Sequence, residues 1–169
     1  MPQVGIIMGS HSDLPRMRKV GEILDLLGIE YEACISSAHR TPEKTKAWAT
    51  GASERGVEVI IAGAGGSAAL PGVIAAYTLL PVIGVPVKAW ATDGLDSLLS
   101  IAQMPKGVPV ATVAIDGTEN AALLAARILA LKSPSIRQAL TDYLAQQADV
   151  VEGKDAELQR VGLTGSDSQ

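Results

Sequence analysis

The sequence contains few of the residues that several common protein classes need. Cys34 is its one cysteine among 169 residues, so no disulfide can form within the chain and no cysteine-based metal cluster is available. Aromatic residues make up only 3% of the chain, which leaves few rings to stack on the bases of single-stranded nucleic acid. The formal net charge is −4, whereas a nucleic-acid-binding surface is expected to be basic. These shortages argue against disulfide-stabilised, metal-cluster and nucleic-acid-binding proteins.

Targeting and membrane signals are also scarce. The start, Met1-Pro2-Gln3, has no basic n-region and no signal-peptide core, so we expect a cytoplasmic protein. One uncharged stretch, 59–87, is long enough to span a bilayer, but glycines and prolines interrupt it repeatedly. Parallel strands that are covered on both faces give the same continuous apolar signal. We therefore predict a strand, a glycine loop, a helix and a strand in this stretch rather than a membrane span.

Apolar runs of strand length alternate along the chain with segments whose apolar residues recur at helical spacing. Hydrophobic residues make up 47% of the chain, as expected for a globular domain with a core. The alternation predicts an α/β fold, a flavodoxin-like three-layer sandwich with a central parallel sheet. The predicted strands are 4–8, 31–35, 57–62, 82–85 and 108–115. The predicted helices are 14–27, 42–55, 69–79, 95–103, 119–131 and 135–151.

The C-terminal third raises two questions of organisation. We assign residues 1–152 to a single catalytic domain and residues 153–169, which are polar and rich in small residues, to a flexible tail. The predicted helix 119–131 is apolar on nearly every face, which indicates burial on all sides. Either the C-terminal segment covers this helix, through an apolar stripe that includes Ile136 and Leu140, or another subunit does. Periodicity does not separate the two alternatives.

Polar or glycine-rich loops follow the first three predicted strands, at 9–13, 36–41 and 63–68. Loops at the carboxyl ends of parallel strands meet at one edge of a sheet, so we expect these three to form a single pocket. Glycines allow a ligand to approach the backbone closely, and helix N-termini supply N–H donors for an anion.

The second loop carries the residues with the clearest chemistry. It reads Ser36-Ser37-Ala38-His39-Arg40 and ends at Thr41-Pro42, a pattern typical of a helix start with Thr41 as N-cap. An imidazole exchanges protons near neutral pH, and a planar guanidinium binds phosphate or carboxylate. A lone histidine is more often structural, but the company of Ser37 and Arg40 in a tight loop favours a catalytic role for His39.

The first loop allows two interpretations for each of its polar residues. Asp13 is either a helix-capping residue or a carboxylate that accepts hydrogen bonds from sugar hydroxyls. Ser10 and Ser12 either cap the helix or bind a phosphate, and His11 fits an exposed loop residue. The residue types alone do not decide between these roles.

The glycine loop also allows a second interpretation, as a dinucleotide-binding loop. Gly63-Ala64-Gly65-Gly66-Ser67-Ala68 matches the G-x-G-x-x-A pattern of dinucleotide-binding folds. That pattern needs an acidic residue at the end of the next strand, and none occurs before Asp93, so a nicotinamide enzyme is poorly supported. P-loop, H-E-x-x-H and nucleophile-elbow motifs are absent from the sequence, which argues against triphosphate, zinc and serine-hydrolase chemistry. A non-catalytic small-ligand sensor on the same fold is a further alternative.

A set of longer motifs occurs in order between about Val4 and Leu131. The motifs are Met8-Gly9-Ser10-x-Ser12-Asp13, Ser37-Ala38-His39-Arg40-Thr41-Pro42, Ala62-Gly63-Ala64-Gly65-Gly66, Leu70-Pro71-Gly72, Gly84-Val85-Pro86 and Asp96-Ser97-Leu98-x-Ser100-Ile101-x-Gln103-Met104-Pro105. Together they resemble the N5-carboxyaminoimidazole ribonucleotide mutases of purine biosynthesis. Several motifs in register over most of the chain make chance agreement very unlikely.

The resemblance implies a flavodoxin-like homo-octamer that acts on a small ribonucleotide without metal or organic cofactor. It implies that a carboxylate moves from the exocyclic nitrogen of an aminoimidazole ribonucleotide to ring C4, with His39 as general acid and base. The residues implied at the ribose phosphate are Ser10, Ser12, Asp13, Ser37 and Arg40. Those implied at the base and carboxylate are Gly65, Gly66 and Leu70, and Gly9 and Ala38 complete the substrate-binding set. The segment Gln103-Met104-Pro105 is expected near the pocket of this chain or of a neighbouring subunit.

The chain departs from the family pattern at one position. Many bacterial relatives carry His just before Leu-Pro-Gly, where this chain has Ala69, so backbone or water would have to replace that imidazole. A related branch of the family carboxylates aminoimidazole ribonucleotide with free CO2 and resembles Ser-Ala-His-Lys in the second loop. This chain has Ser-Ala-His-Arg there, so we predict the mutase, with the carboxylase as the alternative.

Overall fold

A five-stranded sheet lies at the centre of the computed structural model, which describes residues 1–163 apart from the side chain of residue 91. All strand pairs are parallel and their order is β2-β1-β3-β4-β5. The strands are β1 (Val4–Met8), β2 (Tyr31–Ile35), β3 (Val59–Gly65), β4 (Val82–Val87) and β5 (Ala111–Thr112). This order is that of flavodoxin-like folds, so the predicted fold class is confirmed.

Within residues 1–163 the chain forms six α-helices around the sheet. They are α1 (Leu14–Leu26), α2 (Pro42–Thr50), α3 (Leu70–Tyr77), α4 (Leu95–Ala102), α5 (Thr118–Leu129) and α6 (Pro134–Val161). Helices α1 and α5 pack on one face, and α6 packs against α5. Helices α2, α3 and α4 pack on the other face, which completes the three layers.

The central strands are apolar throughout because both of their faces are buried. In β3, Val59 and Ile61 pack into the cluster under α1 and α5, whereas Ile60 and Ala62 pack into the cluster under α2 and α3. Successive strand residues point to opposite faces, so both sets must be hydrophobic. The uncharged stretch 59–87 accordingly forms β3, α3 and β4, as predicted. None of the helices described within residues 1–163 is long and apolar enough to cross a membrane.

The C-terminal helix resolves one predicted alternative and corrects another prediction. Ile136 and Leu140 of α6 are buried in the cluster that contains the inner face of α5, so the C-terminal segment does cover α5. Helix α6 continues to Val161, and the predicted helix end at residue 151 was wrong. Gly153 costs about 1 kcal/mol relative to alanine in a helix interior, which does not end a long helix. The predicted limit of the domain at 152 thus falls within α6, and residues 164–169 of the predicted tail lie outside the described residues.

Other element boundaries differ from prediction for local reasons. The predicted strand 108–115 pairs only at Ala111 and Thr112, where β5 lies beside β4 at one edge of the sheet. Helix α2 ends at Thr50, and a short 3₁₀ turn, Ser53–Arg55, carries the chain to Gly56. Gly56 has φ +94°, a conformation that favours glycine and stops the helical path.

Candidate functional site

A cavity of about 470 Å³ opens at the carboxyl edge of the sheet. It lies beside β1 and β3, which are neighbours in the sheet although β2 separates them in sequence. The strand order reverses there, and ligands of open α/β sheets bind at such points. The predicted site residues that line the cavity are Gly9, Ser10, Ser12, Asp13, Ser37, Ala38, His39, Arg40, Gly65 and Leu70. The predicted convergence of three loops is therefore confirmed.

The first loop both caps a helical turn and forms part of the cavity wall. The Ser10 hydroxyl accepts a hydrogen bond from the Ser12 backbone N–H at 3.3 Å and from the Ser12 hydroxyl at 3.0 Å. The Asp13 carboxylate accepts one from the Ser10 backbone N–H at 3.1 Å, which completes a reciprocal capping box. Capping and ligand contact, the two roles left open by the sequence, are thus compatible for all three side chains.

Asp13 is a nearly buried acid at the cavity wall. Only 6% of the residue is exposed, and burial raises the pKa of its carboxyl. The Ser10 N–H and the nearby Arg16 charge lower that pKa, but to a smaller extent than burial raises it. The ionised carboxylate is therefore short of hydrogen-bond donors, which a ligand hydroxyl would supply.

The raised pKa of Asp13 leads to a prediction about stability. An unfolded aspartate ionises near pH ~3.9, so the cost of burying its charge is absent below that pH. The cost appears as pH rises through the folded pKa and is complete above it. We expect Asp13→Asn to be more stable than the unchanged protein in urea denaturation at pH 7, with the difference vanishing below about pH 4.

The exposed Asp142 on α6 provides the matched control for this variant. Asp142→Asn, at this exposed position, should leave stability in urea at pH 7 nearly unchanged. A stability loss for Asp13→Asn at pH 7 would mean that the charge of Asp13 helps to hold the folded loop.

The second loop is fastened to α2 by a buried set of hydroxyls. The Ser36 hydroxyl lies 2.8 Å from that of Thr45 and 3.1 Å from that of Thr41, and Ser36 and Thr45 are 2% and 0% exposed. The Thr41 hydroxyl also accepts the Ser37 backbone N–H at 2.9 Å. Thr41 occupies the predicted N-cap position and Pro42 begins α2. The sequence analysis assigned no role to Thr45, although hydroxyls at positions 36, 41 and 45 are a visible signal.

These contacts present His39 and Arg40 at the cavity. The Ser37 carbonyl accepts the Thr41 N–H at 2.8 Å, so the residues between them form a tight turn. The Arg40 N–H donates to the Ser37 hydroxyl at 3.2 Å. Both His39 and Arg40 are exposed and line the cavity. The imidazole is thus available to a ligand and is not part of the hydrophobic core.

The glycine loop lines part of the cavity with its backbone, and it also packs against the side chain of Trp90. Strand β3 runs on to Gly65, so the loop begins later than predicted. Gly66 has φ +64°, and a Cβ there would lie 3.0 Å from the Cε3 and Cη2 atoms of Trp90. Gly66 is absent from the lining residues, unlike the other predicted members of the site. Because Gly66 has no side chain, the indole ring of Trp90 packs directly on its backbone.

Several lining residues were not predicted. Ala89 and Trp90 come from the loop after β4, which was predicted to end at 85 but continues to Val87. Neither side chain is an acid, a base or a nucleophile, so their residue types did not indicate a functional site. The presence of a tryptophan in a loop was the one available signal. Ala64, Ser67 and Ala69 also line the cavity; the first two lie in the predicted glycine loop and the third is the position where relatives carry His, but none was named as a substrate-binding residue.

The segment Gln103-Met104-Pro105 does not line the cavity of its own chain. The Met104 side chain instead packs on Gly72 in the first turn of α3, where an added Cβ would lie 2.7 Å from the sulfur. The segment therefore contacts the helix that carries Leu70, but no ligand in this cavity would touch it from within the same chain.

Metal and thiol chemistry find little support at the site. Within residues 1–163, no group of three His, Cys, Asp or Glu side chains is arranged to hold a metal ion. Burial raises the pKa of the Cys34 thiol, and Lys44 and Arg55 lower it by less. Cys34 therefore stays protonated near neutral pH and does not line the cavity.

Comparison with known proteins places this site in a family. The family model described as AIR carboxylase matches residues 3–150. The chain belongs to the AIR carboxylase family. A relative from Pyrococcus horikoshii, named N5-carboxyaminoimidazole ribonucleotide mutase, is 59% identical over 161 residues, which are 95% of this chain and 91% of that protein. The crystal structure of Treponema denticola PurE matches with a TM-score of 0.85 and 33% identity, covering 94% of this chain and 99% of that one.

Membership of the AIR carboxylase family confirms the resemblance derived from the motifs. A third relative, from Schizosaccharomyces pombe, is named phosphoribosylaminoimidazole carboxylase and is 54% identical over 161 residues. Those residues are 95% of this chain but only 29% of that longer protein. The family match contains every residue that lines the cavity and ends within α6.

Proposed function

We propose that this chain interconverts N5-carboxyaminoimidazole ribonucleotide and 4-carboxy-5-aminoimidazole ribonucleotide in de novo purine biosynthesis. One observation carries the proposal: a single cavity brings an imidazole and a guanidinium together with hydroxyls at the β1–β3 edge. The 59% identity to a protein named as the mutase supports it. We infer a cytoplasmic location from that pathway.

In the proposed complex, the two polar loops hold the ribose phosphate. Ser10, Ser12 and Ser37 offer hydroxyl donors, and Arg40 offers a charged fork that suits a phosphate dianion. The acceptor-only carboxylate of Asp13 suits ribose hydroxyls. The aminoimidazole ring then extends toward Gly65 and Leu70, where the lining is apolar apart from backbone and the Ser67 hydroxyl.

The proposed reaction uses one imidazole for two proton transfers. His39 donates a proton to the exocyclic nitrogen, the N–C bond of the carbamate breaks with its electron pair going to nitrogen, and CO2 is released into the cavity. Ring C4, which is enamine-like, attacks the CO2 carbon, and the C4 proton then passes to His39. The histidine ends as it began, so no external acid or base is consumed. The cavity must exclude bulk water long enough to retain CO2.

Ala69 lines the cavity at the position where many relatives carry histidine. Its methyl group makes no hydrogen bond, so we propose that backbone N–H groups and water hold the carboxylate there. The Ser67 hydroxyl, which also lines the cavity, is the nearest side-chain donor along the chain. This arrangement alters how CO2 is handled but leaves the proton chemistry of His39 unchanged.

The carboxylase is the second candidate, because the Schizosaccharomyces pombe relative carries that name. Purified protein is given substrate with a ¹³C-labelled N-carboxylate, in the presence and absence of unlabelled bicarbonate. A mutase retains the label at C4 and needs no bicarbonate. A carboxylase makes the C4 acid from aminoimidazole ribonucleotide only when bicarbonate is present, and its product is unlabelled. Ligand binding without any product would instead identify a small-molecule sensor.

We also propose that the chain assembles as a homo-octamer. Large apolar side chains are exposed on separate elements of the monomer, which supports burial against further copies. They include Tyr77, Leu79, Leu95, Leu99 and Leu131. Native mass spectrometry should give a mass about eight times the 17.5 kDa of the chain. A monomer at micromolar concentration would contradict this assembly.

A further inference from the structure

Trp90 is the largest side chain of the cavity wall, and the proposed chemistry does not use it. It lines the cavity, yet the residue is 84% exposed. The chain has two tryptophans and no phenylalanine, so it holds few rings of this size. An indole ring left in water at the mouth of a cavity offers a large apolar face to a ligand.

The backbone holds Trp90 in an unfavourable conformation. Its φ is +53°, in the left-handed region where a Cβ crowds the following carbonyl. Asp93 and Gly94 in the same loop also have positive φ, at +52° and +93°. Strain of this kind at a bulky residue persists only where the surroundings impose it, and it concentrates at functional sites.

Polar contacts hold the two ends of the loop that carries Trp90. The Lys88 backbone N–H donates to Asp116 Oδ1 at 2.9 Å, and the Lys88 ammonium pairs with Asp93 at 2.9 Å. Asp116 Oδ2 also accepts the Arg16 Nε–H at 3.0 Å, which ties the loop to α1. Helix α1 follows the first polar loop directly, so the Trp90 loop and the proposed phosphate site share one support.

The indole packs against the glycine loop, where the cavity lining is less polar than at the two hydroxyl-rich loops. It lies directly on Gly66, and the Ala89 methyl lies 3.0 Å from where a Cβ on Gly65 would be. Ala64 and Leu70 add further apolar lining to the cavity, and Ser67 is the polar lining residue of the glycine loop. Of the residues that line the cavity in the described part of the chain, Trp90 alone is a phenylalanine, tyrosine or tryptophan.

We propose that Trp90 contacts the aminoimidazole ring of the substrate and closes the cavity mouth over the released CO2. This proposal rests on the proposed function, in which the ring lies at the Gly65 end. Stacking of a base on an aromatic side chain typically changes affinity by roughly 5- to 150-fold. The indole also covers the opening with an apolar surface, which keeps water out and CO2 in.

The escape of CO2 gives this role a specific readout. After the N–C bond breaks, its electron pair and a proton are on the exocyclic nitrogen, so loss of CO2 leaves aminoimidazole ribonucleotide as a side product. A closed cavity converts nearly every carbamate to the C4 acid, whereas an open one releases the side product. The ratio of side product to C4 acid therefore measures closure, independently of the overall rate.

The first test compares Trp90→Ala and Trp90→Phe with the unchanged enzyme. We expect Trp90→Ala to raise KM roughly 5- to 150-fold and to increase the proportion of aminoimidazole ribonucleotide, and Trp90→Phe to restore most of both. Unchanged KM and an unchanged product ratio in Trp90→Ala would overturn the proposal. A changed oligomer mass with an unchanged product ratio would also overturn it, by assigning the ring to a contact between subunits.

The second test reads the contact without turnover. In a Trp48→Phe background Trp90 is the remaining tryptophan, and its emission is followed on adding 4-carboxy-5-aminoimidazole ribonucleotide or ribose 5-phosphate. We expect the nucleotide, but not ribose 5-phosphate, to change the emission. Equal responses or no response overturn the contact. Absence of turnover in the unchanged enzyme would refute the proposed function alone, because this binding test does not depend on it.

Discussion

His39→Asn should lose most of its turnover while the fold and nucleotide binding persist. Asparagine keeps a polar side chain of similar reach but does not transfer protons near neutral pH. General acid–base catalysis is worth roughly 10²- to 10⁴-fold, and the proposed mechanism uses His39 in two proton transfers. We therefore expect kcat to fall by at least about 10²-fold, with the dissociation constant for the C4 acid nearly unchanged.

His11 supplies a matched control, because it is the only other histidine of the chain. It is exposed, lies close in sequence to the same site and does not line the cavity. His11→Asn should retain kcat, measured by the appearance of the C4 acid, and both dissociation constants can be measured by calorimetry. Normal kcat in His39→Asn would place the base elsewhere and remove the central step of the mechanism.

Arg40→Ala should act mainly on binding. The Arg40 guanidinium lines the cavity beside the Ser37 hydroxyl and is exposed to an incoming phosphate. A hydrogen bond to a charged group contributes about 1.5–3 kcal/mol, which corresponds to roughly 10- to 160-fold in the dissociation constant. At saturating substrate kcat should change little, because the phosphate takes no part in bond making or breaking.

Two controls separate phosphate contact from general charge in this variant series. Arg40→Lys keeps the charge but loses the planar fork, so it should bind with intermediate affinity. Lys44 lies in the first turn of α2, donates to the Ile35 carbonyl at 2.8 Å and does not line the cavity. Lys44→Ala should leave affinity nearly unchanged. An unchanged dissociation constant for Arg40→Ala would show that this guanidinium does not contact the substrate.

Local sequence patterns predicted part of the three-dimensional arrangement of the site, but not all of it. Ser10, Asp13, His39 and Arg40 were expected to converge because each follows a strand of one parallel sheet, and chain direction alone puts those loops at one edge. Trp90 was not expected there. Its position depends on the length of β4, on a strained φ and on a hydrogen bond from Lys88 to Asp116, which lies 28 residues further along the chain.

The sequence analysis also did not predict the buried hydrogen bonds between hydroxyl side chains. The Ser36 and Thr45 hydroxyls form a buried hydrogen bond that fixes the His39 loop, yet each residue in isolation resembles an ordinary loop or helix residue. Whether a hydroxyl is buried depends on which face of the helix packs against the sheet. The residue type alone does not reveal that face. Gly66, whose place at the base and carboxylate was implied by the family resemblance, does not line the cavity of this chain but packs against the indole of Trp90.

By itself the sequence determined the fold class, the limits of β1 and β2 and the convergence of the loops. Those features follow from local hydrophobic periodicity and from the right-handed connections between parallel strands. Both depend on residues that lie close together in the chain. Only the tertiary structure decided that α6 covers α5 and continues to Val161, that β5 is reduced to Ala111–Thr112, and that an indole stands over Gly66. Those outcomes depend on packing between segments distant in sequence, where the shape and burial of one partner are set by the other.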